Sequence, residues 1–253
     1  MSSKTIQIER EGNVAVLRVD RPPANAIDLE LANEFESSLA AIEASDETHA
    51  LILTGAGSCF SAGLDLKVVP TYDPAQQQEM VMQVNRLFGR LYGLPLPTIA
   101  AVNGHAIAGG VILTLACDYR VGAEGGYKLG LAEMRVGVPF PVAAMAIVQS
   151  ELTKPVGRMM VLTARNLSPH EALSLGVLDE LQSPDRLLPR AMEVAQEMAA
   201  LPRASYRRIK QQLRADALAR IAEAINNRNE PMLASWLSAE TRAASAQALK
   251  RED

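Results

Sequence analysis

A chain of 253 residues, 48% hydrophobic and 21% charged, has the length and apolar content for one large α/β domain or two smaller ones around a buried core. A formal net charge of -4 without a long basic stretch argues against a nucleic-acid partner, and 4% aromatic residues leave few platforms for base stacking. Two cysteines, Cys59 and Cys117, and three histidines, His49, His105 and His170, fall at no metal-ligand spacing, so neither a metal nor a Cys/His nucleophile is expected.

Met1 to Arg10 is polar and lacks the apolar centre of a signal peptide. No apolar run approaches a membrane span, which points to the cytoplasm and to no membrane partner. The valine-rich run Val14 to Val19 reads as a strand. After the Arg21-Pro22-Pro23 break, Asp28 caps a helix to about Ala44 with Leu31, Phe35, Leu39 and Ile42 at helical spacing. Ala50 to Thr54 is a buried strand ended by Gly55-Ala56-Gly57, and Pro74 to Leu94 reads as a long helix. A strand at Thr98 to Val102, a short helix at Gly109 to Cys117 and strands at Asp118 to Val121 and Tyr127 to Leu131 follow. This alternation favours a layered α/β fold.

Beyond residue 140 the strand signals fade. Ser168-Pro169-His170-Glu171 is a capping box that opens a helix to about Leu175. Helices are expected over Leu187 to Leu201, Ser205 to Leu213, and Asp216 to about Leu249 with a break near Pro231. The helical tail carries charged and apolar faces and suits packing on a neighbour.

Two segments share the order strand, glycine turn, helix: Phe60-Ser61-Ala62-Gly63-Leu64-Asp65-Leu66, and Asn103 through Ala108-Gly109-Gly110-Val111. Glycine permits close backbone approach, and amides at a helix start have no internal partner, so two of them converging on one oxygen would form an oxyanion hole. Either segment alone also suits close helix packing. Neither Gly104 to Gly110 nor Gly55-Ala56-Gly57 has the spacing of a dinucleotide fingerprint, so no nucleotide cofactor is expected.

These two segments, with Ile99 to Gly104, Asp118-Tyr119-Arg120 and Ala172 to Val177, resemble the signature elements of the crotonase (enoyl-CoA hydratase/isomerase) superfamily across about residues 5 to 215. The resemblance implies a spiral of ββα turns over residues 1–195 and a helical C-terminal trimerisation region over 196–253. It also implies an acyl-CoA substrate, coenzyme A entering as part of that substrate with no further cofactor, and a homotrimer or dimer of trimers. By the family pattern the amides of Leu64 and Gly109 form the oxyanion hole. Ala24, Ala62, Gly63, Asp65, Leu66, Lys67, Gly110 and Phe140 lie where acyl-CoA is contacted. Asp65 alternatively caps the local turn. Lys67 and Lys210 are candidates for the coenzyme A phosphates, each a surface lysine otherwise. Phe140 and Val68-Val69-Pro70 border the acyl pocket or belong to the core.

Two acid/base positions separate the family's reactions. The first is Ile112 here, which carries no proton, and the second is Glu133. This single-glutamate pattern resembles the mitochondrial-type Δ3,Δ2-enoyl-CoA isomerases. It implies a base that removes the proton α to the thioester and returns it at the γ-carbon. Leu131, Met134, Val136 and Val138 around Glu133 would raise its pKa by desolvation. Gly137 to Ala144 departs from the glycine-rich turn of hydratases, so acyl specificity is not inherited. Hydration, another crotonase-type lyase or hydrolase reaction, and a non-catalytic acyl-CoA-binding protein stay open as alternatives.

Overall fold

Gly12, at a φ of +58°, turns a hairpin between β1 (Ile6–Glu11) and β2 (Val14–Val19). The structure, a computed structural model, describes residues 5–236 together with 238, 241 and 244. β1 buries only Ile6 and lies at the sheet edge, so the polar N-terminal segment becomes a strand solely through its partner β2. The expected helix follows as α1 (Leu29–Glu43), with the Asp28 carboxylate accepting from Leu31 N and with Leu31, Phe35, Leu39 and Ile42 buried.

Three turns of one kind build the spiral. The first is β3 (Ala50–Gly55), β4 (Cys59–Ser61) and α2 (Pro74–Gly93). The second is β5 (Thr98–Val102), β6 (His105–Ile107) and α3 (Gly109–Ala116). The third is β7 (Tyr119–Ala123), β8 (Leu129–Gly130) and α4 (Glu133–Val136). β8 is shorter than the expected Tyr127 to Leu131, because only Leu129 and Gly130 pair with β6 while Leu129 also bridges to Leu167.

The chain continues through α5 (Val142–Glu151), α6 (Lys154–Thr163), α7 (Pro169–Ser174) and β9 (Glu180–Gln182). α7 opens on the capping box expected at Ser168 and Glu171. α5 and α6 carry no such local signal, for neither Pro141 nor Thr153 makes a capping hydrogen bond. Each ββα turn gives one strand to each of two sheets. The larger runs β1-β2-β3-β5-β7-β9, parallel from β2 onward, and the smaller is parallel β4-β6-β8.

The helical tail comprises α8 (Leu187–Ala199), α9 (Arg203–Leu213), α10 (Ala215–Asn226) and α11 (Leu233–Trp236). The long helix expected from Asp216 ends at Asn226, and Arg228, at a φ of +48°, redirects the chain ahead of Pro231. Of that helix's expected remainder to Leu249, residues 237, 239, 240, 242, 243 and 245–249 lie outside the described residues. α10 seats on α2 where glycine leaves room: a Cβ on Gly89 would stand 2.6 Å from Ile221 Cγ2. Among the described residues no helix is long and apolar enough to cross a membrane.

Candidate active site

The small sheet brings the sequence-derived candidates together. Gly63 follows the end of β4, Gly109 the end of β6 and Glu133 the end of β8, each within a few residues. Because β4, β6 and β8 are adjacent and parallel, all three leave the same carboxyl edge, where parallel sheets bind their ligands.

At that edge the two glycine segments touch. Gly63 has a φ of +76°, and a Cβ there would lie 2.8 Å from Gly109 N and 2.9 Å from Ile107 O. Gly110 is as constrained, with the site of a Cβ 2.1 Å from Ser61 O. Ile27 bridges the strip beside Leu64: Ile27 N donates to Gly63 O and Asp65 N to Ile27 O. Amides alternate in direction along an extended strip, so the Leu64 amide between these bonds faces away from Ile27. Gly109 opens α3, whose first amides the helix itself leaves unpaired. Ala108 holds a left-handed φ of +51° to start that helix and donates its own amide to Gly130 O at 2.7 Å. A non-glycine residue in such a conformation costs about 1–3 kcal/mol, strain of the sort that collects at functional sites.

Glu133 begins α4 and is 7% exposed, and its Oε2 has no hydrogen-bond partner within the protein. Burial pushes its pKa up to about 7, partly offset by a hydrogen bond from its own backbone amide. A buried carboxyl without a counter-ion can hold or release a proton near neutral pH, as a general acid/base must. Ile112 is fully buried in α3 and adds no second proton-carrying group. Phe140 and Leu64 are half-buried against the core, and Val69 is buried in a short turn over Val69–Thr71. Among the described residues no group of three or more His, Cys, Asp or Glu could hold a metal ion.

The remaining candidates lie along the β4 turn and the Ala24 strip beside it. Ala62 N donates to Ala24 O at 2.9 Å, which joins those two half-buried residues. Asp65 takes the capping geometry: Oδ1 accepts from Lys67 N and Val68 N at 3.0 and 3.2 Å, and Oδ2 pairs with Arg21 at 2.8 Å. Leu66 is half-buried and Lys67 exposed. Sequence reasoning missed the side chains that tie these turns together. Arg21 reaches Ala26 O, Asp28 and Asp65 at once. The Asn25 amide, on a residue at a φ of +52°, donates to Ala56 O and Cys59 O, and its Oδ1 accepts from Arg21 N. The only signal was an arginine and an asparagine flanking two prolines, which names no partner.

Lys210 requires a correction. Its Nζ is buried, donates to Leu96 O at 3.1 Å and pairs with Asp118 at 2.8 Å. It is therefore neither a surface lysine nor a phosphate ligand. Tyr206 and Arg214 also reach Asp118 at 2.8 and 3.0 Å, and the Thr98 amide and hydroxyl donate to it at 2.8 and 3.0 Å. Burial pulls the Lys210 pKa down, against the pull of Asp118. Lys210→Met is expected to cost about 3 kcal/mol in urea denaturation, because a buried pair loses one partner, while KM for acyl-CoA stays unchanged. A raised KM with unchanged stability would restore the phosphate role.

A spiral of ββα turns with a glycine-lined edge and a buried carboxyl whose Oε2 lacks a hydrogen-bond partner defines an enzyme of the crotonase class. Residues 9–252 match the family model described as enoyl-CoA hydratase/isomerase, and the chain belongs to that family. The mouse mitochondrial enoyl-CoA delta isomerase 1 is 34% identical over 84% of this chain and 75% of its own length. The short-chain-enoyl-CoA hydratase of Clostridium acetobutylicum is 30% identical over 79% of this chain and 77% of its own. The crystal structure of human mitochondrial delta3-delta2-enoyl-CoA isomerase superposes with a TM-score of 0.91 at 26% identity, covering 98% of both chains.

Proposed function

We propose that this enzyme isomerises 3-enoyl-CoA to 2-enoyl-CoA. Glu133 is its one acid/base group, and the amides of Leu64 and Gly109 hold the thioester oxygen. The carrying observation is Glu133 Oε2, buried without a hydrogen-bond partner, with isoleucine at position 112. The Glu133 carboxylate takes the proton from C2. The electron pair moves into the thioester, and the two amides hold the dienolate oxygen. Glu133 then returns the proton to C4, so the double bond moves from C3–C4 to C2–C3 and no water is consumed.

Coenzyme A enters as part of the substrate along Ala24, Ala62, Gly63, Asp65, Leu66 and Lys67. Gly110 and Phe140 border its acyl end, and no other cofactor takes part. A cytoplasmic homotrimer, single or paired, belongs to the same proposal, with residues 196–253 as the oligomerisation region. Ile209 and Leu213, 62% and 80% exposed near the end of α9, support an apolar contact between copies.

Supplied with a 3-enoyl-CoA, the enzyme is expected to form 2-enoyl-CoA far faster than it hydrates crotonyl-CoA. Its kcat/KM should rise with pH through a midpoint near 7, because Glu133 must lose its proton before it acts. Fast crotonyl-CoA hydration would instead favour the hydratase reaction. Coenzyme A binding with no turnover of any enoyl thioester would reduce the chain to a binding protein.

A further inference from the structure

α5 starts on Pro141, directly after the segment that leaves α4, and Pro141 supplies no side-chain cap. The first amides of a helix need partners from outside it. Here those partners arrive from two remote parts of the chain. Val142 N donates to Glu230 Oε2 at 3.0 Å, and Ala143 N donates to Asn85 Oδ1 at 2.8 Å. Asn85 Nδ2 donates to the same Glu230 oxygen at 2.8 Å, and Met232 N donates to Glu230 Oε1 at 3.2 Å. Asn85, on α2, is fully buried, and Glu230 is 6% exposed. A carboxylate at this end also complements the helix dipole.

The other end of the segment is gripped as well. The Thr241 hydroxyl lies 2.7 Å from Ser235 O and 3.1 Å from Gly137 O, and a Cβ on Gly137 would stand 2.6 Å from Ala244 Cβ. Gly137 caps α4 at a φ of +69°, and Val138 N donates back to Glu133 O at 3.1 Å. The chain after α10 thus touches both ends of the short connection between α4 and α5.

We propose that Glu230 and Asn85 are positioning residues for Glu133: they clamp the α4–α5 connection and so hold the base in line with the substrate's α-carbon. The inference rests on the proposed role of Glu133. The coenzyme A contacts proposed along the β4 turn lie on another part of the chain, so losing the clamp acts on the chemical step, and on the acyl border at Phe140 within the clamped connection, rather than on the coenzyme A handle.

The test uses the full-length protein with Glu230→Ala, and with Asn85→Asp as a near-isosteric second variant that sets one carboxylate against another. Amide hydrogen exchange across residues 133–143 is measured without substrate, and kcat and KM are measured with 3-enoyl-CoA. Exchange at Val138, Val142 and Ala143 is expected to accelerate about tenfold or more, and kcat to fall about tenfold or more, with KM within about threefold. Glu230→Gln keeps one acceptor for Val142 N and should recover part of the rate. Unchanged exchange overturns the clamp. Faster exchange with unchanged kcat, or an activity loss that only follows the folded fraction by circular dichroism, overturns the positioning role. A wild-type protein inert toward every enoyl-CoA would strike down the proposed reaction alone, since the exchange measurement needs no substrate and still decides the clamp.

Discussion

Glu133→Gln is expected to lower kcat for 3-enoyl-CoA isomerisation about a thousandfold or more, the upper part of the range for a positioned acid/base group. In the proposed reaction the whole proton shuttle falls on this side chain. Ile112, buried in α3, cannot substitute, and the amides of Leu64 and Gly109 donate without accepting a proton. Glutamine preserves the shape of the carboxyl, so KM should move little. Equal rates for the two proteins would rule out the assigned base.

The same substitution carries a second signature in stability. Burial raises the Glu133 pKa from 4.5 to about 7. The folded protein therefore holds that proton more tightly than the unfolded chain does. This stability is fully present below the unfolded value and is lost as pH rises through about 7. Between about pH 5 and about pH 8 the glutamine variant should gain on the wild type by on the order of 3 kcal/mol in denaturant titrations. A pH-independent difference between the two would mean that the carboxyl is not desolvated. A loss of activity combined with a gain in stability at alkaline pH is characteristic of a base kept in an apolar site for function.

Gly63→Ala is the second large effect. An alanine Cβ would stand 2.8 Å from Gly109 N, 2.9 Å from Ala108 Cβ and 2.9 Å from Ile107 O, with two of the three contacts on backbone that cannot swing aside. One or both candidate amides must shift, and losing one oxyanion donor lowers kcat by about 10²–10³. Stability should fall by on the order of 2–4 kcal/mol, from the left-handed φ and from overpacking together. Gly176→Ala separates the two causes. Gly176 has nearly the same φ, +73°, but nothing within 4 Å of its added Cβ. It should therefore cost about 1–2 kcal/mol in thermal denaturation and leave kcat unchanged. An active Gly63→Ala enzyme would show that the close approach of the two turns is packing alone.

Much of this site is legible one segment at a time. The Phe60 to Leu66 and Asn103 to Val111 segments announce close backbone approach through their glycines, and the structure presses Gly63 against Gly109. Asp28 and Ser168 read as caps, and both cap. Glu133 is found by its place in a motif and is buried, but of the apolar neighbours expected to desolvate it Leu131 is buried while Met134 is 57% exposed. The failures share a different character. Lys210 looks like a surface lysine because nothing within a few residues reveals Asp118, which lies 92 residues earlier in the chain. α5 goes unread because its cap is supplied by Glu230 and Asn85 rather than by Pro141. β1 goes unread because its alternation of Ile6 and Ile8 with polar residues is short, and it exists by pairing with β2.

By itself, then, the order of residues determined what depends on a few neighbouring positions: strand and helix periods, glycine turns, caps, and the single carboxylate left in the acid/base pattern. These are local because backbone sterics and helix-end hydrogen bonds act over one or two turns of chain. Only the tertiary structure decided which buried charges meet, what caps α5, and that β4, β6 and β8 open at one shared edge. Those outcomes turn on desolvation, which is set by whatever segments fold on top of a group and by no property of the group's own stretch of sequence.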